Sequence, residues 1–375
     1  ARFGGAERYS VAVAAQLAQR HEVHVFAQIL EDLPANIQGH RIAGPLAKPR
    51  WLNQLWFALA SWWLTRRGFD VVHSHENTWH GQVQTVHVRP FRVGFFAGRS
   101  GWRRPLRCLQ LLTSPRLLSY FGLEHARMRP LPGRVIVASS STVAHEVQQA
   151  YPQTASCLHT LAPGVHLPAA LNAEQRDAQK AQARQQLGLP TNAPLVLFVG
   201  NDYLKKGLPA LLQALARPET SALHLMVVGQ PTHRARCEAL AQSLSVHARV
   251  HFLGSLSDVT PAYQAADVLA HPTTEDTFAM VVLEAMAHGV PVLVSGPAHC
   301  GISALLAPNE AVQLPDPHDD QAIANALVRV MNDTDFAATL TAHGRRFASR
   351  HSWTETAQAY EALYLRCVQA ARTPA

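Results

Sequence analysis

Short apolar runs alternate along the chain with longer segments that are apolar on one side. The apolar runs predict strands, which in the first half fall at 22–28, 70–73, 84–88 and 135–138. The amphipathic segments predict helices, among them 6–19, 51–66 and 140–150. After a turn at Gly164 and a polar helix over 174–187, strands are expected at 195–199, 223–228, 250–252, 268–271 and 290–294. Strands that alternate with helices form parallel sheets, so the sequence predicts an α/β protein with two doubly wound domains.

Length and composition agree with two packed domains. The 375 residues are 47% apolar and 16% charged, which is a globular composition, and the net charge of +7 favours anionic partners. No apolar run of about 18 residues and no signal peptide is recognisable, and the five cysteines lack metal or redox spacing. We therefore expect a cytoplasmic protein with reduced thiols. The chain begins without Met in a glycine-rich turn, so we expect the natural protein to start about a dozen residues earlier, with a strand.

Two glycines at the beginning of the first predicted helix form the first candidate site. Gly4 and Gly5 let backbone N–H groups approach an anion closely, and the helix dipole favours negative charge there. A plain turn before a helix would show the same pattern.

Two lysines follow the first strand of the second predicted domain. The strand ends at Gly200, the loop carries Lys205 and Lys206, and a helix begins after Gly207. Lysines at the carboxyl end of a strand are well placed to clamp a diphosphate. The alternative is a pair of solvated surface lysines.

A second loop carries carboxylates directly before a helix. A carboxylate of Glu275 or Asp276 could hydrogen-bond the hydroxyls of a sugar, and Glu284, further along the helix, could bind a pair of ribose hydroxyls. The helix start offers backbone N–H groups for phosphates, those of Phe278, Ala279 and Met280. The alternative is a capping cluster with one buried, hydrogen-bonded Glu.

Together these segments resemble the retaining glycosyltransferases of family 4, which have the GT-B fold. The resemblance also includes the stretches Asp70–His75, Thr85–His87, Val137–Ser140, Pro163–Val165 and Phe347–Leu365. It implies two Rossmann-like domains facing across a cleft. The acceptor-side domain would cover 1–166, with 353–375 packing back onto it, and the donor-binding domain 167–352. Two stretches look most like the lipopolysaccharide core glucosyltransferase I subgroup: Gly200–Gly207 and Val227–Gln230.

The resemblance implies how a nucleotide-sugar donor is bound. Lys206 would bind the diphosphate together with Gly4, Gly5 and the N–H groups of the helix start after Phe278. Asp276 would touch the sugar. The ribose would lie on Glu284 and the base against the backbone near Leu256.

The resemblance also implies a reaction. A hexose would pass from a nucleotide-diphosphate sugar, on the subgroup's pattern a UDP-sugar, to a glycan or glycolipid such as the lipopolysaccharide core. The anomeric configuration would be retained, and His87 would lie near the transferred sugar and the acceptor. Since no side chain is clearly a nucleophile, we expect front-face substitution in which the leaving phosphate takes the acceptor's proton. Lys206 would then stabilise the charge developing on that phosphate.

Three positions depart from the family pattern. Asn201 stands where Arg is usual, so one phosphate-binding charge is lost unless Lys205 replaces it. Asp276 stands where Glu is usual, although Glu275 is adjacent, and Pro163 stands where Asn is usual, a change that the core glucosyltransferase subgroup shares. These differences leave the expected fold unchanged and the identity of the donor open.

Arginines interleaved with aromatic residues over 89–107 form a candidate membrane-binding stretch. This pattern suits an anionic lipid surface, so we expect peripheral membrane contact. The resemblance to the core glucosyltransferase subgroup implies that this surface is the cytoplasmic face of the inner membrane. The residues expected to contact lipid or acceptor are Arg92, Phe95, Phe96, Arg99, Trp102, Arg103 and Arg104. The alternative is an acceptor loop whose aromatics pack inward. The tryptophans of 51–66 could add to this membrane surface, but their helical spacing favours the core. No nucleic-acid partner is expected.

Three other functions stay open. His73 and His75 have a recurrent metal-ligand spacing, with Glu76 and His80 nearby, and would suit a metal-dependent hydrolase. A nucleotide-sugar epimerase can use the same two-domain fold, and an inactive sugar-nucleotide-binding protein would retain it. For a transferase we expect no metal and no other cofactor, since no paired-aspartate signature for a donor-bridging metal is present.

Overall fold

A computed structural model of the chain describes residues 5–31, 33–46, 48–96, 109–111, 113–230 and 232–372. The chain divides into two compact units. We name them after the roles that the resemblance implies: the donor-side unit is Val165–Ser352, and the acceptor-side unit is the described residues up to Gly164 and from Trp353 onward. Both units combine helices with parallel sheets, as the α/β prediction requires.

The donor-side unit is built around a parallel sheet. Among the described residues it has six strands in the spatial order Val312–Leu314, Val292–Ser295, Val268–His271, Leu195–Val199, His224–Val228 and Val250–Gly254. Its central strands are buried on both faces, which is why they are continuous apolar runs. The order along the chain reverses between the third and fourth strands of this series. The loops after these two strands therefore lie side by side at the carboxyl edge, where such sheets bind ligands.

Helices separate the strands of this unit. They are Ala173–Gln186, Leu208–Leu215, Arg234–Ser243, Thr260–Ala265, Met280–Ala287, Asp320–Asn332 and Thr334–Ser349. Three of them are preceded by an N-cap residue whose side chain accepts a hydrogen bond from a backbone N–H of the first turn, namely Asn172, Asp319 and Asp333. Such capping satisfies backbone donors that have no partner inside the helix, so these polar residues fix where the helices start.

The acceptor-side unit has two parallel sheets in its described residues. Val23–Ala27 pairs with Ile37–Arg41, and the other sheet has the order His73–Ser74, Val83–Val86, Val135–Ala138, Leu158–Thr160. The helices are Gly5–Leu17, Arg50–Thr65, Phe91–Phe96, Pro115–Arg127, Ser141–Ala150 and Trp353–Arg372. The last helix packs along the first, and the hydroxyls of Tyr9 and Tyr360 are 2.8 Å apart.

Three short strands were not predicted from the sequence, because polar residues interrupt them or because only three residues pair. They are Ile37–Arg41, Leu158–Thr160 and Val312–Leu314. Each pairs with a longer or more apolar neighbour in parallel register. Their conformation is therefore set by the neighbouring strand, which local periodicity does not contain.

The tryptophans of the helix Arg50–Thr65 correct the prediction that placed them in the core. Trp56, Trp62 and Trp63 are 43%, 37% and 57% exposed. The buried face consists of Phe57, Ala58, Ser61 and Thr65. Residues on both faces of this helix are apolar, so the periodicity could not tell which face is covered.

Candidate functional site

Two loops lie side by side where the strand order of the donor-side sheet reverses. We call residues 200–207 the lysine loop and residues 272–279 the carboxylate loop. The carbonyl oxygen of Lys205 accepts hydrogen bonds from the Thr274 amide at 2.8 Å, the Thr274 hydroxyl at 3.0 Å and the Thr273 hydroxyl at 3.1 Å. The structure therefore brings the predicted lysines and carboxylates together.

Glycine is required at two positions of the lysine loop. Gly207 has a φ of +81°, and a Cβ added there would lie 1.8 Å from the carbonyl oxygen of Pro272. A Cβ at Gly200 would lie 2.9 Å from Cγ of Lys206. The first glycine thus allows the two loops to touch, and the second leaves room for the lysine side chain to cross the end of the strand.

Asp276 accepts hydrogen bonds from both loops and from the strand below. Its Oδ2 lies 2.6 Å from Nζ of Lys206 and 3.1 Å from Nε2 of His271. Its Oδ1 accepts from the backbone N–H groups of Phe278 at 3.2 Å and Ala279 at 2.9 Å. Burial raises the pKa of Asp276, but His271 and Lys206 outweigh burial, and the net direction is a lowered pKa. The carboxylate is therefore ionised at neutral pH.

These contacts differ from the expected use of the helix start. The N–H groups of Phe278 and Ala279 were predicted to face phosphates, but both donate to Asp276. Ala279 has a φ of +70° immediately before the helix that begins at Met280, so the backbone turns sharply around the carboxylate. Asp276 therefore closes the turn that precedes the helix, and no side chain among the described residues caps the helix start at Ala279. Contact of this helix start with phosphates stays a prediction.

The two lysines of the loop have different surroundings. The side chain of Lys206 is 23% exposed and is held by Asp276. The side chain of Lys205 is 61% exposed, and its Nζ is 3.6 Å from Oε2 of Glu275, which is itself 47% exposed. Exposed ion pairs contribute little, so the position of Lys205 is weakly fixed whereas that of Lys206 is defined.

Three further candidates for donor binding lie in the same unit. Oδ1 of Asn201 accepts the backbone N–H of Gln230 at 2.9 Å, so this residue joins the lysine loop to the loop after the neighbouring strand. Glu284 accepts a hydrogen bond from the hydroxyl of Tyr263 at 2.6 Å, and Leu256 is half-buried in a loop after an edge strand. Asn201 thus supplies a structural contact where the family usually has a charge.

His87 lies in the acceptor-side unit, directly after a buried strand. Its Nε2 is 2.9 Å from Nδ1 of His75, and the ring of Tyr9 lies 4.8 Å from its ring centroid. Burial lowers the pKa of His87 to about 4 and that of His75 well below its ordinary value, so both rings are neutral at pH 7. Gly5 is the first residue of the first helix, and Gly4 lies outside the described residues.

His73 does not present a free nitrogen to a metal ion. Its Nε2 is 2.7 Å from the hydroxyl of Thr85, and its Nδ1 is 2.6 Å from the hydroxyl of Tyr364. Within the described part of the chain, no group of three metal-ligating side chains comes together. The metal-hydrolase alternative therefore lacks a ligand set there.

The predicted membrane stretch is described only in part. The structure places Arg92, Phe95 and Phe96, while four members lie outside the described residues: Arg99, Trp102, Arg103 and Arg104. The ring centroids of Phe95 and Phe96 are 5.3 and 6.2 Å from that of Phe121, so these half-buried aromatics pack against a neighbouring helix. Contact of this stretch with lipid or acceptor stays a prediction. Arg92 is exposed. No helix among the described residues is long and apolar enough to cross a membrane.

His271 is a site residue that the sequence reasoning missed. It ends a buried, otherwise apolar strand directly before the carboxylate loop and is 1% exposed. A single imidazole at the end of such a strand is the signal that could have drawn attention to it, because parallel strands of this kind are normally apolar throughout.

Family models match both units, and curated relatives match much of the chain. Residues 3–167 match the model described as "Glycosyltransferase Family 4", and residues 179–347 match "Glycosyl transferases group 1". D-inositol 3-phosphate glycosyltransferase of Xylanimonas cellulosilytica is 33% identical over 246 residues, which cover 64% of this chain and 58% of that protein. Lipopolysaccharide glucosyltransferase WaaG of Escherichia coli is 29% identical over 244 residues, 64% of each chain. The alignments thus span less than two-thirds of these relatives.

Solved structures share the fold over nearly the whole chain. The crystal structure of WaaG, a glycosyltransferase involved in lipopolysaccharide biosynthesis, has a TM-score of 0.75 and 23% identity, and covers 97% of this chain and 96% of that one. The structure of Anabaena Alr3699/HepE in complex with UDP-glucose has a TM-score of 0.67 and 19% identity, with 96% of each chain covered. At these identities the likeness concerns the fold.

Proposed function

Because the chain belongs to the GT-B glycosyltransferases, we propose that it transfers a hexose from a nucleotide-diphosphate sugar, specifically a UDP-sugar, to a glycan or glycolipid acceptor. The observation that carries the proposal is the ammonium of Lys206, held 2.6 Å from Asp276 at the switch point of the sheet. This is the edge at which doubly wound sheets bind phosphorylated ligands. A structural neighbour was solved with UDP-glucose, and a curated relative is a lipopolysaccharide glucosyltransferase.

In this proposal Lys206 binds the diphosphate and stabilises the charge that develops on it as the glycosidic bond breaks. The leaving phosphate takes the proton of the acceptor, and the anomeric configuration is retained. Asp276 is only 14% exposed, and His271 and two backbone N–H groups keep their hydrogen bonds to it when Lys206 turns to the diphosphate. We therefore assign the sugar hydroxyls to Glu275, whose side chain is 47% exposed.

Other residues complete the donor and acceptor contacts. Glu284, oriented by the hydroxyl of Tyr263, would bind the ribose, and the backbone near Leu256 the base. His87 is neutral at pH 7, so it can accept or donate one hydrogen bond to a sugar hydroxyl without adding charge. No metal or cofactor enters this proposal.

Ligand-induced stabilisation tests the donor. A ligand that binds only the folded state raises the melting temperature by mass action. We expect UDP and a UDP-hexose to raise it more than GDP or ADP, and Lys206→Ala to reduce the rise. No shift with any nucleoside diphosphate would contradict the proposal. Incubation with the UDP-hexose alone separates the remaining alternatives: an epimerised sugar would indicate an epimerase, and binding without turnover on any acceptor an inactive binding protein.

We further propose that the protein reaches a glycolipid acceptor by resting on an anionic membrane surface, and that the helix Arg50–Thr65 provides the contact. Trp62 and Trp63 are exposed, and the guanidinium of Arg66 lies 3.4 Å from the ring centroid of Trp63. The helix contains no acidic residue and is followed by Arg66 and Arg67. Exposed tryptophans beside arginines suit the interface of an anionic bilayer.

Vesicle flotation tests this contact. The protein should float with phosphatidylglycerol-containing vesicles, float less with pure phosphatidylcholine, and lose flotation in the double variant Trp62→Ala, Trp63→Ala. Phe95→Ala serves as the matched control, because its ring is half-buried and packs against Phe121. Flotation that is unchanged by the tryptophan substitutions would contradict the assignment of this helix. Self-association that the same substitutions abolish would instead identify a contact between two copies of the chain.

A further inference from the structure

His271 occupies a position where packing alone calls for an apolar side chain. The strand Val268–His271 lies inside the donor-side sheet and is buried throughout. The imidazole is 1% exposed, and its Nδ1 is buried without a hydrogen-bond partner among the described residues. An unpartnered buried nitrogen destabilises the fold, so the histidine needs a reason other than packing.

The other ring nitrogen points at the ion pair of the candidate site. Nε2 of His271 lies 3.1 Å from Oδ2 of Asp276, and the same oxygen lies 2.6 Å from Nζ of Lys206. An ionised carboxylate only accepts, so Nε2 carries the hydrogen. Imidazole and ammonium thus share one oxygen, while Oδ1 is held by two backbone N–H groups.

Lys206 must leave Asp276 if it is to bind a diphosphate, and the shared oxygen determines what happens to Asp276 when it does. If Lys206 turns to a diphosphate, it leaves a carboxylate that is only 14% exposed. A buried carboxylate that loses its cation is strongly destabilised unless other donors remain. His271 keeps its hydrogen bond to Oδ2 when Lys206 leaves, so Asp276 stays ionised and solvated by the protein.

Resting on the proposed function, in which Lys206 binds the donor diphosphate, we propose that His271 is a positioning residue that releases Lys206 from Asp276 to the diphosphate. Without the imidazole, Asp276 would hold Lys206 more tightly and compete with the ligand. The effect of His271 is therefore exerted through Lys206, which distinguishes it from a residue that only supports the fold.

A double-mutant cycle on UDP binding tests this inference. The variants are His271→Leu, His271→Gln, Lys206→Ala and the double variant Lys206→Ala, His271→Leu, with UDP affinity measured by titration calorimetry. We expect His271→Leu to weaken UDP binding about tenfold, the size of one hydrogen bond to a charged group. His271→Gln should restore most of the affinity, because its side-chain amide can donate to Asp276. In the Lys206→Ala background the His271→Leu substitution should have no further effect, since non-additivity reports shared action.

The outcomes separate the two levels of the proposal. If Lys206→Ala leaves UDP affinity unchanged, the proposed phosphate site fails, and the role of His271 fails with it. If Lys206→Ala weakens binding but His271→Leu does not, or does so equally in both backgrounds, only the role of His271 is overturned. Should His271→Leu not fold, nitrogen NMR of the histidines in the wild-type protein decides. The Nε2 hydrogen of His271 should remain bonded when UDP is added, and its loss would overturn the inference.

Discussion

Two polar clusters, one in each unit, differ in charge state because neighbouring donors outweigh the effect of burial in only one of them. In the donor-side unit, Lys206 and Asp276 form an ion pair beside exposed loops. In the acceptor-side unit, burial lowers the pKa of His73 to about 3 and raises that of Tyr360 to about 12. Burial disfavours charge in both places, but only in the first do neighbouring donors outweigh it. The first cluster is therefore charged at neutral pH and the second is neutral.

The neutral cluster is a continuous chain of hydrogen bonds. Tyr9 and Tyr360 hydroxyls are 2.8 Å apart, Tyr360 and Thr85 hydroxyls 2.8 Å, Thr85 and His73 2.7 Å, and His73 and Tyr364 2.6 Å. It joins the first helix, two strands and the last helix of the chain. A chain of neutral groups with fixed partners stabilises a fold, whereas charged groups that can exchange partners can bind a ligand. Substitutions in the two clusters should therefore affect different properties.

The largest expected effect is on catalysis, at Lys206. Lys206→Ala should lower kcat with a UDP-hexose donor by about a hundredfold or more, the size typical for loss of a group that stabilises transition-state charge. The melting temperature should change little, because His271 and two backbone N–H groups still donate to Asp276. Steady-state kinetics and thermal unfolding measure the two effects.

Lys205→Ala is the matched control for that substitution. Its side chain is 61% exposed and its contact to Glu275 spans 3.6 Å, so activity should stay within a few-fold of wild type. Equal losses in the two variants would mean that the loop contributes general positive charge and that the ion pair with Asp276 has no special role.

The next effect is on stability, at Tyr360. Tyr360→Phe removes the hydroxyl that bonds both Tyr9 and Thr85, and it should lower the free energy of unfolding by about 1–3 kcal/mol. Tyr364→Phe breaks the contact to His73 and should lower it less. Urea unfolding gives both values. If Tyr360→Phe unfolds at the wild-type urea midpoint but loses activity, the neutral cluster belongs to the active site instead.

The dependence of stability on pH is expected to come mainly from buried histidines of the acceptor-side unit, namely His73 of the neutral cluster and the nearby His75, His80 and His87, whose pKa values burial lowers. The pKa of His73 is lowered from 6.5 to about 3 and that of His87 to about 4, so the unfolded chain binds more protons between these values. The contribution of these neutral histidines to the free energy of unfolding is complete above pH 6.5 and is lost as the pH falls toward 4. Asp276 has a lowered pKa from an ordinary value of 3.8, so its contribution is still present in this window.

Urea midpoints measured across that pH window check the assignment. His73→Gln should make the urea midpoint depend less steeply on pH, whereas Lys206→Ala should leave this dependence nearly unchanged. A slope that responds to Lys206→Ala and not to His73→Gln would reverse the roles of the two clusters.

The sequence predicted the elements of the donor site because they are local. A strand, a loop with Gly200 and Lys206, and a following helix are contiguous, as are the carboxylate loop and the helix that begins at Met280. The contact between the loops depends on the spatial order of the strands, which no local pattern contains. Lys206 and Asp276 are 70 residues apart, and the resemblance to a known family supplied what periodicity could not.

The burial of the aromatic residues could not be predicted from the sequence. Helical spacing indicated that the helix Arg50–Thr65 is amphipathic, but both of its faces are apolar, so the exposed one was misassigned. Phe95 packs against Phe121, which follows it by 26 residues and belongs to another helix. Which aromatic side chain is covered is decided by such tertiary contacts. The membrane proposal therefore rests on the exposed tryptophans of this helix.

The smallest expected effect is at Asn201, which tests whether a neutral contact within the charged cluster matters. Its Oδ1 accepts the exposed backbone N–H of Gln230, and water can replace that contact in Asn201→Ala. We expect KM for the donor to rise by about two- to threefold with kcat unchanged, because one exposed neutral hydrogen bond is worth little. Asn201→Asp keeps an acceptor for Gln230 but places a negative charge beside the lysine loop.

The relative donor affinities of these two variants show whether the loop depends on the geometry of the Asn201 contact or on its net charge. If the contact to Gln230 shapes the loop, Asn201→Ala should be the weaker binder and Asn201→Asp close to wild type. If the loop binds a diphosphate, repulsion should make Asn201→Asp the weaker of the two, and added salt should reduce the difference, because exposed charges are screened. We expect the second result, since only the charged cluster is expected to exchange its partners for a ligand. The first result would show that the lysine loop is held for the sake of the fold, as the hydroxyls around Tyr360 are.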